Sequence, residues 1–215
     1  MIQTLTKNWW LLALCGVLYV PISVIYFIMY NAGPADYPAA GWYNVIVLSS
    51  RFALAASVCT IAAGIWRPVK GFSPLLLLLV LNGLALSEFG GIGDFWRSPH
   101  SFNFFALMIV MMAASVGILA LAIARSLRKH AADSWFFGLA GAASVGVALA
   151  FLALANSWIQ LERRAIHPAG FLWVSLYFAF AAIFMLGLGL RLHGRSISQS
   201  SQVDALPPLG SPKHA

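Results

Sequence analysis

Two charged side chains lie inside segments that are otherwise apolar, and they are the first place where this sequence could carry chemistry. Arg51 lies within one apolar stretch and Glu88 within the next. A centrally placed Arg in a membrane costs about 2.5–3.5 kcal/mol on insertion scales, so it is expected to face the interior of a bundle and to find a partner there. We therefore predict an intramembrane charge pair between Arg51 and Glu88.

This predicted pair has three interpretations. It could be a buried structural ion pair, in which the cost of desolvation offsets the attraction. It could belong to a gate or to a polar pathway for a solute. Alternatively, both side chains could extend outward to the membrane surface. Asn44 and Asn82 lie in the same two segments and are candidates for the same polar site. Convergence of all four residues on a hydrated cavity would favour transport, whereas a dry, sealed pair would favour a structural role.

A second group of polar residues lies in the loops predicted on the outer face. A histidine beside carboxylates titrates in the mildly acidic range, where a sensor of external acid would have to respond. Each histidine is also compatible with an ordinary loop position. The candidates for pH sensing are Asp94, His100, Glu162 and His167.

Catalytic and cofactor-binding patterns are missing from the sequence. It contains no HExxH or GxSxG pattern, and no paired carboxylates in a recognisable site. Cys15 and Cys59 are far apart in the chain and form no zinc-binding motif with histidine. We therefore predict no catalytic residue, no metal and no cofactor.

The elements that position these residues follow from the composition. Of the 215 residues, 61% are hydrophobic and 9% are charged, and the mean hydropathy is +0.85. Soluble domains carry about 25% charged residues. A helix needs about 20 apolar residues to cross the hydrocarbon layer, and six stretches qualify: 8–30, 42–66, 72–93, 104–125, 135–157 and 170–192. The prediction is an all-α, polytopic membrane protein with six transmembrane helices, whose partner is the lipid bilayer.

The basic residues predict the orientation of these spans, because they collect on the cytoplasmic side of membrane proteins. One side carries Lys7, Arg67, Lys70, Arg125, Arg128, Lys129, Arg191 and Arg195. The other side carries Arg97, Arg163 and Arg164 together with acidic residues. Both termini are therefore predicted to be cytoplasmic. The net charge of +7 reflects this topology, and without a soluble basic module we predict no nucleic-acid binding.

The six spans can be grouped into three similar hairpins, at about 8–67, 72–128 and 133–193. In each hairpin the first helix begins with aromatic residues that precede a glycine, and the second helix ends at an arginine. These features predict a triplicated two-helix unit within one transmembrane domain, residues 1–195. Residues 196–215 are rich in Ser, Gln, Pro and Gly and are predicted to form a disordered cytoplasmic tail.

This hairpin pattern resembles the HdeD-like family of bacterial inner-membrane proteins. The most similar part is the last hairpin, from Asp133-Ser134-Trp135 through Gly141 to Phe171-Leu172-Trp173-Val174 and Arg191. The resemblance implies repeated transmembrane hairpins, location in the bacterial inner membrane and a role in acid resistance. It implies a cellular context rather than a reaction.

Two functions are therefore expected from the sequence. The first is a non-enzymatic inner-membrane protein of stress or acid-resistance type that responds to external pH. The alternative is a small-solute or ion transporter or channel with a polar site at Arg51 and Glu88. The sequence leaves open whether the chain forms a homo-oligomer, and it identifies no small-molecule ligand.

Overall fold

The described part of the protein is entirely helical. The computed structural model describes the backbone of residues 2–32, 41–66, 74–91, 101–126, 131–161 and 168–204. It describes the side chains of residues 3–32, 47–66, 75–89, 107–126, 134–153 and 171–194. The helices are α1 (Ile2–Lys7), α2 (Trp9–Ala32), α3 (Gly41–Ile65), α4 (Leu77–Gly91), α5 (Ser101–Ser126), α6 (Ala131–Leu161) and α7 (Pro168–Asp204).

Five of these helices, α2, α3, α5, α6 and α7, are long and apolar enough to cross a membrane. Helices are the natural form for such segments, because backbone groups in hydrocarbon must be hydrogen-bonded within the segment. The predicted all-helical architecture is therefore confirmed for the described residues, and its five long apolar helices are consistent with a multi-pass membrane protein.

The described part of the predicted span 72–93 contains a short helix. It begins with a 3₁₀ turn at Pro74–Leu76 and continues as α4, which has 15 residues. Fifteen residues rise about 22 Å, less than the hydrocarbon thickness of about 30 Å. Proline fits the first turn of a helix, and Gly90 and Gly91 weaken the helix at its other end. A sixth span therefore stays a prediction.

The helices pack in the order α7, α2, α3, α4, α5, α6, each mainly against its neighbours in this series. In the first two predicted hairpins, the paired helices pack against each other. In the third, α6 packs on α5 and α7 packs on α2. Among the described residues, α6 and α7 meet chiefly at one end, where the Arg191 guanidinium lies 4.4 Å from the centre of the Phe136 ring. The packing thus differs between the hairpins, and the triplication stays a prediction.

Small residues allow the closest helix pairs to form. A Cβ atom at Gly117 would lie 3.1 Å from the carbonyl oxygen of Gly141, and one at Gly141 would lie 2.9 Å from that of Gly117. At the α2–α7 contact, a Cβ at Gly189 would lie 3.0 Å from the Cβ of Ala13. Within a membrane, such close backbone approach supplies the dispersion contacts that hold helices together.

One end of the bundle collects several helix ends. Asn8, between α1 and α2, donates its side-chain amide to the carbonyl oxygen of Trp66 at 2.6 Å, just beyond the end of α3. The Ser134 hydroxyl, near the start of α6, donates to the carbonyl oxygen of Ala124 near the end of α5 at 3.1 Å. The rings of Trp9 and His193 lie 4.1 Å apart. The starts of α2 and α6 therefore lie at the same end as the last turns of α3 and α5 and the His193 region of α7.

Helix α7 continues further than its predicted span. The sequence predicts disorder from residue 196, whereas the backbone is helical to Asp204. The segment between Gly194 and Pro207 contains neither glycine nor proline. Adding a turn to an existing helix avoids the unfavourable nucleation step, so α7 extends into this polar segment. Residues 205–215 lie outside the described residues.

Candidate functional site

Arg51 points away from the bundle in this structure. Its side chain is exposed on α3. It shares that side of the helix with Leu54 and Val58, and the latter is 67% exposed. The opposite side of α3 carries Ser57 and Thr60, which are buried at the contact with α4. The sequence predicts that Arg51 faces inward. In the structure it faces outward, because the inner side of α3 uses small side chains to make its close contact with α4.

Glu88 is also exposed. It lies on the side of α4 that carries the exposed residues Leu77, Leu81 and Leu84. Both charged side chains are described, and the structure contains no ion pair between them in the single chain. The role of these residues stays a prediction, but the structure does not join them inside the bundle.

Among the predicted site residues whose side chains are described, Asn82 lies deepest in the bundle. It is 1% exposed, and its side-chain nitrogen donates a hydrogen bond of 3.2 Å to the hydroxyl of Tyr19 on α2. Its side-chain oxygen Oδ1 is buried and accepts no hydrogen bond from the described residues. A buried polar atom without a partner is costly, so this oxygen marks a position where a further donor would be favourable.

Two more hydrogen-bonding side chains lie near this pair. Cys15 lies one turn before Tyr19 on α2, and their side chains are hydrogen-bonded. Tyr177 on α7 is also buried, close to Cys15 and Tyr19. We refer to Cys15, Tyr19, Asn82 and Tyr177 as the Asn82 cluster.

The chemistry of the Asn82 cluster is that of uncharged hydrogen bonding. An amide, two phenols and a thiol can donate to or accept from a small neutral polar group. The cluster contains no carboxylate or imidazole that would act as a general base at neutral pH. Within the described part of the chain, no group of three or more His, Cys, Asp or Glu could hold a metal ion.

Other polar side chains inside the bundle join helices to each other. The hydroxyls of Ser23 on α2 and Ser175 on α7 each donate to the other residue's carbonyl oxygen at 2.9 Å. Ser57 donates to the carbonyl oxygen of Gly83 at 2.6 Å, and Ser144 donates to that of Ala113 at 2.8 Å. These bonds satisfy the serines within the protein, so each serves helix packing.

Five of the predicted site residues lie outside the part of the chain for which side chains are described. Asn44 belongs to the first turn of α3, of which only the backbone is described. The four candidates for pH sensing, Asp94, His100, Glu162 and His167, lie in the segments 92–100 and 162–167, which are outside the described residues. Their roles therefore stay predictions.

The sequence interpretation selected Asn82 but missed the residues around it. Cys15 and Tyr19 are four residues apart, a spacing that places two side chains on one face of a helix. That spacing is a weak signal, because a tyrosine and a cysteine are common in apolar helices. The contribution of Tyr177 depends on the contact of α7 with α2, which only the tertiary structure gives.

We expect Tyr19→Phe to lower the free energy of unfolding by about 1 kcal/mol, because it leaves the Asn82 amide and the Cys15 thiol without their partner. In an Asn82→Leu background, which removes the unpaired amide, the same change should cost less. Both differences in the free energy of unfolding would be measured in mixed micelles, by raising the fraction of a denaturing detergent. Equal costs in the two backgrounds would contradict the interaction between Tyr19 and Asn82.

Comparison with known proteins does not extend this description. No protein-family model, no curated protein and no solved structure matches the chain.

Proposed function

We propose that this protein is a non-enzymatic, multi-pass protein of the bacterial inner membrane that acts in resistance to stress, and to acid in particular. The observation that carries this proposal is the hydrogen bonding of the polar side chains inside the bundle. The interior serines Ser23, Ser57, Ser144 and Ser175 bond across helices, and the charged side chains Arg51 and Glu88 lie on the outside of the bundle. Such an interior supports a stable scaffold in the membrane better than a route for charged solutes.

The proposed topology has six spans and cytoplasmic termini. The location of both termini on one side is supported by the contacts at one end of the bundle. There Asn8 donates a hydrogen bond to Trp66, and the ring of Trp9 contacts that of His193. Lys7 and Arg191 lie at this same end, where a cytoplasmic side would be basic. Six spans require α4 to cross together with its preceding 3₁₀ turn, which local thinning of the bilayer would allow.

The proposed response to acid depends on the outer loops. Two histidines, His100 and His167, would gain charge as the external pH falls through their ordinary titration range. Asp94 and Glu162, which lie a few residues away in the sequence, would favour the charged form. The resemblance of the last hairpin to the HdeD-like family supplies the cellular context for this proposal.

Acid-shock survival tests the proposal. In the bacterium that encodes this protein, a deletion strain would be complemented with the wild type or with a His100→Gln/His167→Gln variant at matched membrane levels. We expect the wild type to restore survival and the double variant to restore less of it. If the wild type makes no difference to survival, the acid-resistance proposal is wrong. If both proteins restore survival equally, the proposed role of the two histidines is wrong.

A transporter of small neutral solutes is the second candidate, because Asn82 Oδ1 is buried and without a donor among the described residues. Purified protein in lipid vesicles would be tested for uptake of labelled polar solutes against Asn82→Leu. Uptake that requires Asn82 would favour transport. Equal leakage with wild type, Asn82→Leu and protein-free vesicles would exclude transport of the solutes tested.

A further inference from the structure

Arg51 and Glu88 lie at similar depths on neighbouring helices. A Cβ at Gly64 would contact Leu76 and Leu79, and a Cβ at Gly83 would contact residues 57–61. In this antiparallel register, Glu88 is level with residue 54, within about one helical turn of Arg51. Both side chains are nonetheless exposed and unpaired with each other in the single chain. Two opposite charges thus lie on one outer surface of the bundle.

Arg51 differs in position from the other arginines of the described apolar helices. Arg125 and Arg191 lie near the ends of their spans, and the Arg191 guanidinium lies over the ring of Phe136. Arg51 lies about 15 Å along the helix axis from the start of α3 at Gly41. At that depth the surrounding medium is apolar, and a charged side chain is expected to be paired.

We propose that this surface binds a second copy of the chain, in which Arg51 of each copy pairs with Glu88 of the other. The surface consists of Arg51, Leu54 and Val58 on α3 and Leu81, Leu84 and Glu88 on α4, and all six side chains are exposed. We call it the α3–α4 outer face. It carries one charge of each sign, so it is complementary to itself.

A twofold axis along the membrane normal fits this arrangement. Such an axis keeps every residue at its own depth, and it places α3 of one copy opposite α4 of the other. Arg51 and Glu88 differ in depth by about one turn, a gap that a long arginine side chain bridges. The exposed leucines and Val58 then surround two identical charge pairs and shield them from lipid. An arginine and a carboxylate can also form a bidentate hydrogen-bonded pair, which adds geometric specificity.

Charge complementarity favours a second copy over a lipid headgroup as the occupant. An anionic headgroup would satisfy Arg51 but would repel Glu88 on the same face. A second copy satisfies both charges at once. The inference does not depend on the proposed role in acid resistance, because it concerns the surface of the bundle only.

Charge exchange between differently tagged copies provides the test. The full chain would be co-expressed with two tags in each combination, and capture of one tag by the other would be measured from membranes. In R51E with R51E, glutamate faces glutamate in both pairs, and in E88R with E88R, arginine faces arginine. We expect capture in each case to fall by about tenfold, which corresponds to about 1.4 kcal/mol.

The decisive combination is R51E with E88R. In this mixed dimer, one copy presents two glutamates and the other presents two arginines, so both pairs across the interface become attractive again. We expect capture to return to the wild-type level. An ion pair within one chain would not be restored in this way, because each copy would still hold two like charges. R125E, which changes an exposed Arg at the end of α5 away from this face, is the matched control and should leave capture unchanged.

Two results would overturn the proposal. In the first, R51E captures E88R as weakly as each variant captures itself. The partner of Arg51 would then be lipid or another protein. The other result is unchanged capture in R51E with R51E and in E88R with E88R. If the charge-exchanged variants do not accumulate in the membrane, R51Q and E88Q take their place. Each should then weaken its own capture, and unchanged capture for both would equally overturn the proposal.

Discussion

Gly83→Val should destabilise the bundle by about 3 kcal/mol, because it forces α4 away from α3. A Cβ at position 83 would lie 2.8 Å from Thr60 Oγ1 and 2.9 Å from the carbonyl oxygen of Ser57, and it would also collide with Ile61. A backbone oxygen cannot rotate away, so the helices themselves must shift. The shift would also strain the 2.6 Å hydrogen bond from Ser57 to the Gly83 carbonyl oxygen. The loss would be measured as the free energy of unfolding in mixed micelles.

Gly146→Val is the matched control for this change. Gly146 lies on α6, and a Cβ there would meet nothing within 4 Å among the described residues of the single chain. The substitution is chemically the same, so its effect on helix propensity is shared while the steric effect is not. We expect at most a small change for Gly146→Val. A loss at position 146 as large as that at position 83 would contradict the assigned α3–α4 contact.

Phe178→Ala should also cost about 3 kcal/mol, because Phe178 is the centre of the aromatic packing between α2, α4 and α7. Its side chain is 0% exposed. Its ring lies 5.4 Å from that of Tyr19 on α2 in an edge-to-face arrangement and 5.2 Å from that of Phe89 on α4. Truncation to alanine removes both contacts and leaves a cavity. Closing this cavity would require all three helices to move.

The measurement for Phe178→Ala is again the free energy of unfolding, with Ile183→Ala on the same helix as its control. Ile183 is 66% exposed in the single chain. An outward-facing side chain contacts lipid instead of protein. Lipid is as apolar as the interior of the bundle, so truncating this side chain should cost little. If the two truncations cost the same, the assigned inner and outer faces of α7 are wrong.

Much of the helix content could be predicted from the sequence. Five of the six predicted spans correspond to helices that can cross a membrane, α2, α3, α5, α6 and α7. The reason is that apolar stretches of this length have little choice of structure in lipid, where the backbone must satisfy its own hydrogen bonds. The ends of the helices were harder to predict, because they depend on local effects such as Pro74 before α4 and the polar continuation of α7 to Asp204.

The direction in which each side chain points was decided by the tertiary structure. In a soluble protein, the apolar face of a helix marks its buried side. A transmembrane helix is apolar all round, because lipid is as apolar as the bundle interior. The sequence therefore could not show that Arg51 lies on the outer face of α3 or that Asn82 lies inside, beside Tyr19.

The partners of each helix were likewise decided by tertiary packing. The sequence predicts three equivalent hairpins, yet α7 packs mainly on α2 and α6 packs on α5. These choices follow from where small residues let two backbones approach, as at Gly189 with Ala13 and at Gly117 with Gly141. The sequence by itself thus determined that the chain forms apolar helices. The fit of small residues to neighbouring backbones determined which helices meet, because shape rather than hydrophobicity distinguishes one apolar surface from another in a membrane.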